Sequence, residues 1–177
     1  KTLPGDEGFF SIPLQVSDQP ILLEATGGQY TEEASGTLIT ISTKEGLKAL
    51  SFFRSGEVRI INITPFTMLA AGLAENRIAN GDSVSTAIEN ATMIVSDLVG
   101  VGVDVIATTP RNIQASNNDQ PAGVNAAEVY GFTVASFSSF TSLLSKKAGK
   151  EHSDFPSLDL AILMYNDIHA DGVLDGM

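Results

Sequence analysis

The 177-residue chain has no cysteine and no tryptophan, and its only histidines are His152 and His169. Without thiols there are no disulfides, no thiol catalysis and no cysteine-ligated metal. Two histidines exclude a histidine-rich zinc site, so a mixed site would need carboxylates from elsewhere in the chain. Basic charge is scarce, with 10 Lys and Arg against 21 Asp and Glu and a net charge of −11. That balance repels nucleic acid and anionic lipid, and no nucleic-acid partner is expected. No apolar run approaches the roughly 18 residues that span a bilayer, so membrane insertion is excluded too. The start lacks the charged-then-apolar pattern of a signal peptide, and any targeting segment or lipid anchor is expected upstream of Lys1.

What the chain does have is 43% hydrophobic residues, enough for one sizeable core or two small ones. From residue 9 to 64 these fall in short runs, at 9–14, 20–25, 36–41 and 58–63, separated by turn residues at the intervals of an antiparallel sandwich. Residues 47–53 fit either a strand or a short helix. Pro13 and Pro20 belong at strand ends or an edge, because proline cannot donate to a ladder.

The period changes after Thr64-Pro65, an N-cap followed by proline at the first helical position. A helix is predicted over 65–79, with Phe66, Leu69 and Leu73 on one face and Asn80-Gly81 closing it. Asp82 or Ser83 then caps a second helix running to Gly100, whose Val84, Ala87, Ile88, Ala91, Ile94, Val95 and Leu98 recur at three- and four-residue spacing. Residues 101–121 have little periodicity and read as a long connection. A third helix is predicted over 124–147, using Val129, Phe132, Val134, Phe137, Phe140 and Leu144, with the three phenylalanines read as core rather than as an aromatic platform for carbohydrate. The expected fold is α+β: residues 1–64 a partial antiparallel β-sandwich, residues 65–177 an α-helical, bundle-like region.

Gly8-Phe-Phe-Ser-Ile-Pro-Leu14 and Ile21-Leu-Leu-Glu-Ala-Thr-Gly-Gly-Gln-Tyr30 resemble late strands of the transthyretin-like sandwich of carboxypeptidase-regulatory-like domains. With Ile63-Thr-Pro-Phe-Thr67 opening a helix, the order is similar to that of bacterial secreted surface proteins or lipoproteins. The resemblance covers the first third of the chain. It implies a non-catalytic binding or spacer module that meets a protein or glycan partner, and it transfers no catalytic residue.

The C-terminal run Asp167-Ile-His-Ala-Asp-Gly-Val-Leu-Asp-Gly176 matches the first ten positions of an EF-hand-like calcium loop. Its ligands would be Asp167, His169, Asp171, the Val173 carbonyl and Asp175, with Gly172 at the sharp turn and residues 158–165 in the entering helix. His169 departs from the usual Asp or Asn, and the bidentate carboxylate of position 12 is absent from this chain. Asp171-Gly172 and Asp175-Gly176 are equally two tight turns that need no metal.

Other candidates have plainer readings. Glu24, Glu32 and Glu33 are carboxylates of the kind that glycoside hydrolysis pairs, but in so acidic a chain they read as a solvated turn. His152-Ser-Asp154 has triad residue types, yet three consecutive residues do not converge as a triad must, and a surface loop is expected. Arg111 and Asn112 offer a contact for an anionic group. Asn62-Ile-Thr64 and Asn90-Ala-Thr92 match the glycosylation pattern inside predicted regular elements, and neither is read as modified. The rival to a spacer is a carbohydrate-binding module or hydrolase accessory domain with its site at 101–121; it would show aromatics clustered in a groove.

Overall fold

β1 (Gln19–Thr26) pairs antiparallel with β4 (Gly46–Phe53), placing Leu22 opposite Leu50 and Leu23 opposite Ala49. Between them, β2 (Gln29–Thr31) pairs with β3 (Leu38–Thr40) through Tyr30 and Ile39. The ladders are two stretches of one bent ribbon, joined where Gly27 N–H donates to the Ser42 carbonyl and Ile41 N–H to that of Gly28, both at 3.0 Å. Gly27 and Gly28 have φ of 68° and 82°, a left-handed conformation that glycine adopts without a Cβ penalty. This computed structural model describes residues 8–15, 18–100, 102–113 and 125–176.

Helix α1 (Pro65–Ala79) starts as its sequence predicts. The Thr64 hydroxyl accepts from Thr67 N–H, and the Thr67 hydroxyl from Thr64 N–H, closing a capping box ahead of Pro65. A cap of this kind is worth about 1 kcal/mol. The helix is buried on all sides from Phe66 to Ala74 because β4, α2 (Val84–Val99) and α4 (Ser157–Asp171) surround it. Small residues let the neighbours close in: a Cβ on Gly72 would lie 3.0 Å from the side chains of both Tyr165 and Ile168 on α4. Ala49 and Leu50 of β4 share one core with Leu69, Leu73, Ile88, Val95 and Ile168, so ribbon and helices pack as one body.

The class is α+β, but several expected elements differ. Residues 9–14 and 58–63 form no ladder, leaving two two-stranded sheets rather than a sandwich among the described residues. A strand exists only where a partner meets its backbone groups, and an alternating pattern alone does not supply one. The ambiguous 47–53 stretch is strand. The expected long connection is core in its first half: Val103, Val105 and Ile106 are buried, and Asp104 accepts from the Ile106 and Ala107 N–H groups. Residues 114–121 lie outside the described residues.

Helix α3 (Ala126–Lys147) meets the expectation only in part: Val129, Val134 and Phe137 pack against the core, but the two other phenylalanines do not. Its buried face carries Tyr130, Gly131, Ser138, Thr141 and Ser145, whereas Phe132 and Phe140 are 57% and 53% exposed rather than core. Phe137 does turn inward, edge-on to Phe66 at 5.7 Å. At Gly131 the approach is so close that a Cβ would meet the Arg111 carbonyl oxygen at 2.2 Å, so no larger residue fits that position.

Candidate functional site

Tyr30 and Glu32 are two residues apart, so the pleat sends both side chains to one face of the β2–β3 hairpin. The Glu32 N–H donates to Thr37 and its carbonyl accepts from Gly36, whose φ of 66° turns the chain back. Glu32 is thereby driven into the helices and is 0% exposed. This corrects its reading as part of a solvated turn.

Four donors meet its two oxygens. The Tyr30 hydroxyl and the Ser157 N–H, each at 2.6 Å, donate to Oε1. The Ser138 hydroxyl at 2.5 Å and the Ser157 hydroxyl at 2.7 Å donate to Oε2. Ser138 in turn accepts from the Ala34 N–H at 3.0 Å. Helix α4 has no side-chain cap of its own, so a carboxylate remote in sequence serves its buried first-turn amide at the positive end of the helix dipole. Burial alone would raise the Glu32 carboxyl; the bonds from Ser138, Tyr30 and Ser157 outweigh it and hold the group below the usual carboxylate value. Burial, and then the bond to Glu32, push the Tyr30 phenol far upward.

His152 completes the cluster from a single 3-10 turn (His152–Asp154). Its Nε2 lies 3.6 Å from Glu32 Oε2, its side chain is 7% exposed, and neither ring nitrogen has a hydrogen-bond partner among the described residues. The expected surface loop is therefore buried at its histidine.

A second set of the same three residue types lies on the outer side of α4. The Tyr165 hydroxyl donates to Glu75, His169 Nε2 is 3.8 Å from Glu75 Oε2, and the Tyr165 and His169 rings stack at 5.6 Å. Lys48 sits 4.5 Å from the Tyr165 ring centre, a cation over an aromatic face. The His169 and Glu75 side chains are 52% and 27% exposed.

The calcium-loop residues divide between helix and turn. Asp167, His169 and Asp171 form the last turn of α4, and Gly172 ends it in the left-handed conformation. Asp167 Oδ2 accepts from the Asp175 and Gly176 N–H groups at 3.0 Å, and Asp171 Oδ1 accepts from the Val173 N–H at 2.8 Å. The structure thus joins Asp167 to the backbone at Asp175 and turns His169 toward Glu75. Among the described residues, no three His, Cys, Asp or Glu side chains gather closely enough to hold a metal ion.

A surface cleft of about 680 Å³ opens between β4, α2 and residues 103–106, lined by Phe52, Arg54, Arg59, Glu89, Asp97 and Asp104. Arg54 pairs with Glu89 at 3.6 Å and covers the Phe52 ring at 5.7 Å, so the cleft's aromatic is capped. Arg111 pairs with Glu128 at the start of α3. Asn62 spends its side-chain N–H on the Ile106 carbonyl at 2.8 Å.

No family model, no curated protein and no solved structure matches this chain. No helix among the described residues is long and apolar enough to cross a membrane.

The hub around Glu32 was missed in the sequence because its partners are distant. The usable signal was the spacing of Gly131, Ser138, Thr141 and Ser145, a stripe of small polar residues that marks an inward face needing polar partners.

Proposed function

We propose that the chain is a non-catalytic structural spacer or binding module of a bacterial protein that is secreted or held at the cell surface. The observation that carries this is the Glu32 hub. The most buried carboxylate among the described residues has both oxygens filled by four donors, which fasten the hairpin to α3 and α4. A carboxylate so occupied has no lone pair left for acid–base or nucleophilic work, and its effect is to make ribbon and helices move together. Calcium belongs to the same proposal at the terminal turn, where a hard cation would have to draw Asp167, Asp171 and Asp175 together and offset their repulsion.

The test is equilibrium unfolding followed by helical circular dichroism and by hydrogen exchange of the hairpin amides. A rigid module loses both in one transition. Hairpin amides that exchange well before the helices melt would refute it.

One observation favours a second reading, a carbohydrate-binding module or accessory domain of an extracellular hydrolase. Phe132 and Phe140 stand exposed on one side of α3, about 12 Å apart by helix rise. Retention on insoluble polysaccharide that disappears in a Phe132→Ala, Phe140→Ala protein would favour it over the spacer.

A further inference from the structure

His152 is the one group of the hub that the hydrogen bonds leave unexplained. A neutral imidazole has one N–H donor and one acceptor nitrogen, and burying both without partners incurs their full desolvation cost. The four donors to Glu32 are neutral, so they satisfy its lone pairs without cancelling its charge. Among the described residues, His152 is the only side chain within ion-pair distance of that carboxylate that can take up a positive charge.

Other groups near the turn do not compete. On the hairpin, Tyr30 donates to Glu32, and Glu33 follows it half-buried, its carboxyl raised by burial. α3 brings Ser138 and Ser145 inward, and its lysines Lys146 and Lys147 point to solvent. α4 brings the Ser157 hydroxyl, with Asp159 half-buried beyond it, and Glu151 and Asp154 on the turn itself are exposed.

We propose that His152 and Glu32 form an acid-strengthened latch between the hairpin and the helical half. Protonation turns a ring with no partner into a cation facing a buried carboxylate, and loss of that proton weakens the junction of hairpin, α3 and α4. The sign follows from the pairing: the stabilisation is present below the ordinary histidine range, about pH 6.5, and is lost as pH rises above it. Because Glu32 is held below the usual carboxylate value, it stays ionised throughout that window. The latch stands on this geometry and does not depend on the spacer reading.

Having only two histidines makes the test clean. Chemical denaturation of the wild type, His152→Gln and His169→Gln is compared between about pH 5.5 and about pH 8. The folding equilibrium constant of the wild type should fall about tenfold more than that of His152→Gln over this range. His169→Gln should keep the wild-type fall. A His152→Gln protein that keeps it too, or a wild type that gains stability relative to that variant as pH rises, overturns the latch. Nitrogen-15 spectra of the histidine rings need no variant: between about pH 5.5 and about pH 8 the His152 signals should change in step with the loss of stability, and ring signals that stay constant over that range also overturn the latch.

Discussion

Two Tyr–Glu–His sets in one small protein differ in little but water. In both, a tyrosine hydroxyl donates to a glutamate and a histidine Nε2 lies within 4 Å of the same carboxylate, at 3.6 Å for Glu32 and 3.8 Å for Glu75. Glu32 sits where solvent is excluded, with every acceptor position used. Glu75 faces a screened, half-wet surface shared with Lys48. Chemical type therefore does not decide what a constellation does; the dielectric around it and the number of satisfied lone pairs do.

The sharpest test removes each carboxylate in turn. Glu32→Ala strands two serine hydroxyls, a tyrosine hydroxyl and a helix-end N–H in a dry site, and should cost about 3–5 kcal/mol in chemical denaturation. Glu75→Ala, whose partners reach water, should cost less than about 1 kcal/mol. Similar losses at the two sites would break the comparison.

Shortening each tyrosine by its hydroxyl should give a smaller contrast of the same sign. Tyr30→Phe loses a bond to a buried anion, worth about 1.5–3 kcal/mol, and Tyr165→Phe about 0.5–1.5 kcal/mol. Chevron or equilibrium denaturation resolves the difference.

Acid gives the next contrast. Glu32 is held below its ordinary value of 4.5, so it contributes stability above that pH and the contribution is lost as pH falls through its lowered folded value. Against a Glu32→Gln reference, the wild type should lose its advantage only below about pH 4.5, as an acid titration of stability would show.

Calcium should give the smallest effect. A site holding the ion at a hundredfold excess over its Kd would add about 2.7 kcal/mol to stability. The expected gain is well below that, because the ion must displace the tail amides from Asp167. A calorimetric titration with Asp171→Ala as control measures it. A full gain that vanishes in the control would make the terminal turn a calcium site in its own right.

Much of the helical half was legible. Thr64-Pro65 marked the start of α1, the three- and four-residue spacing through Ala87, Ala91 and Val95 marked α2, and both depend on interactions within a few residues. The face of α3 was legible only in part: Val129, Val134 and Phe137 pack inward, but hydrophobicity also put Phe132 and Phe140 inside, whereas the Arg111 backbone crosses on the side of Gly131 and leaves no room for a Cβ there. The strand at 58–63 failed for a related reason, since a ladder needs a second segment in register.

By itself, then, the sequence determined the helix caps, the glycine-marked turns, the α+β class and the acidic charge, because each follows from local backbone sterics or from composition. Only the tertiary structure decided that Glu32 and not Glu24 would be buried, that His152 would join it, and that Tyr165 and His169 would stay wet. Those outcomes hang on donors more than a hundred residues away, such as Ser138 and Ser157 reaching Glu32, and no local pattern encodes which distant group will exclude water from a charge.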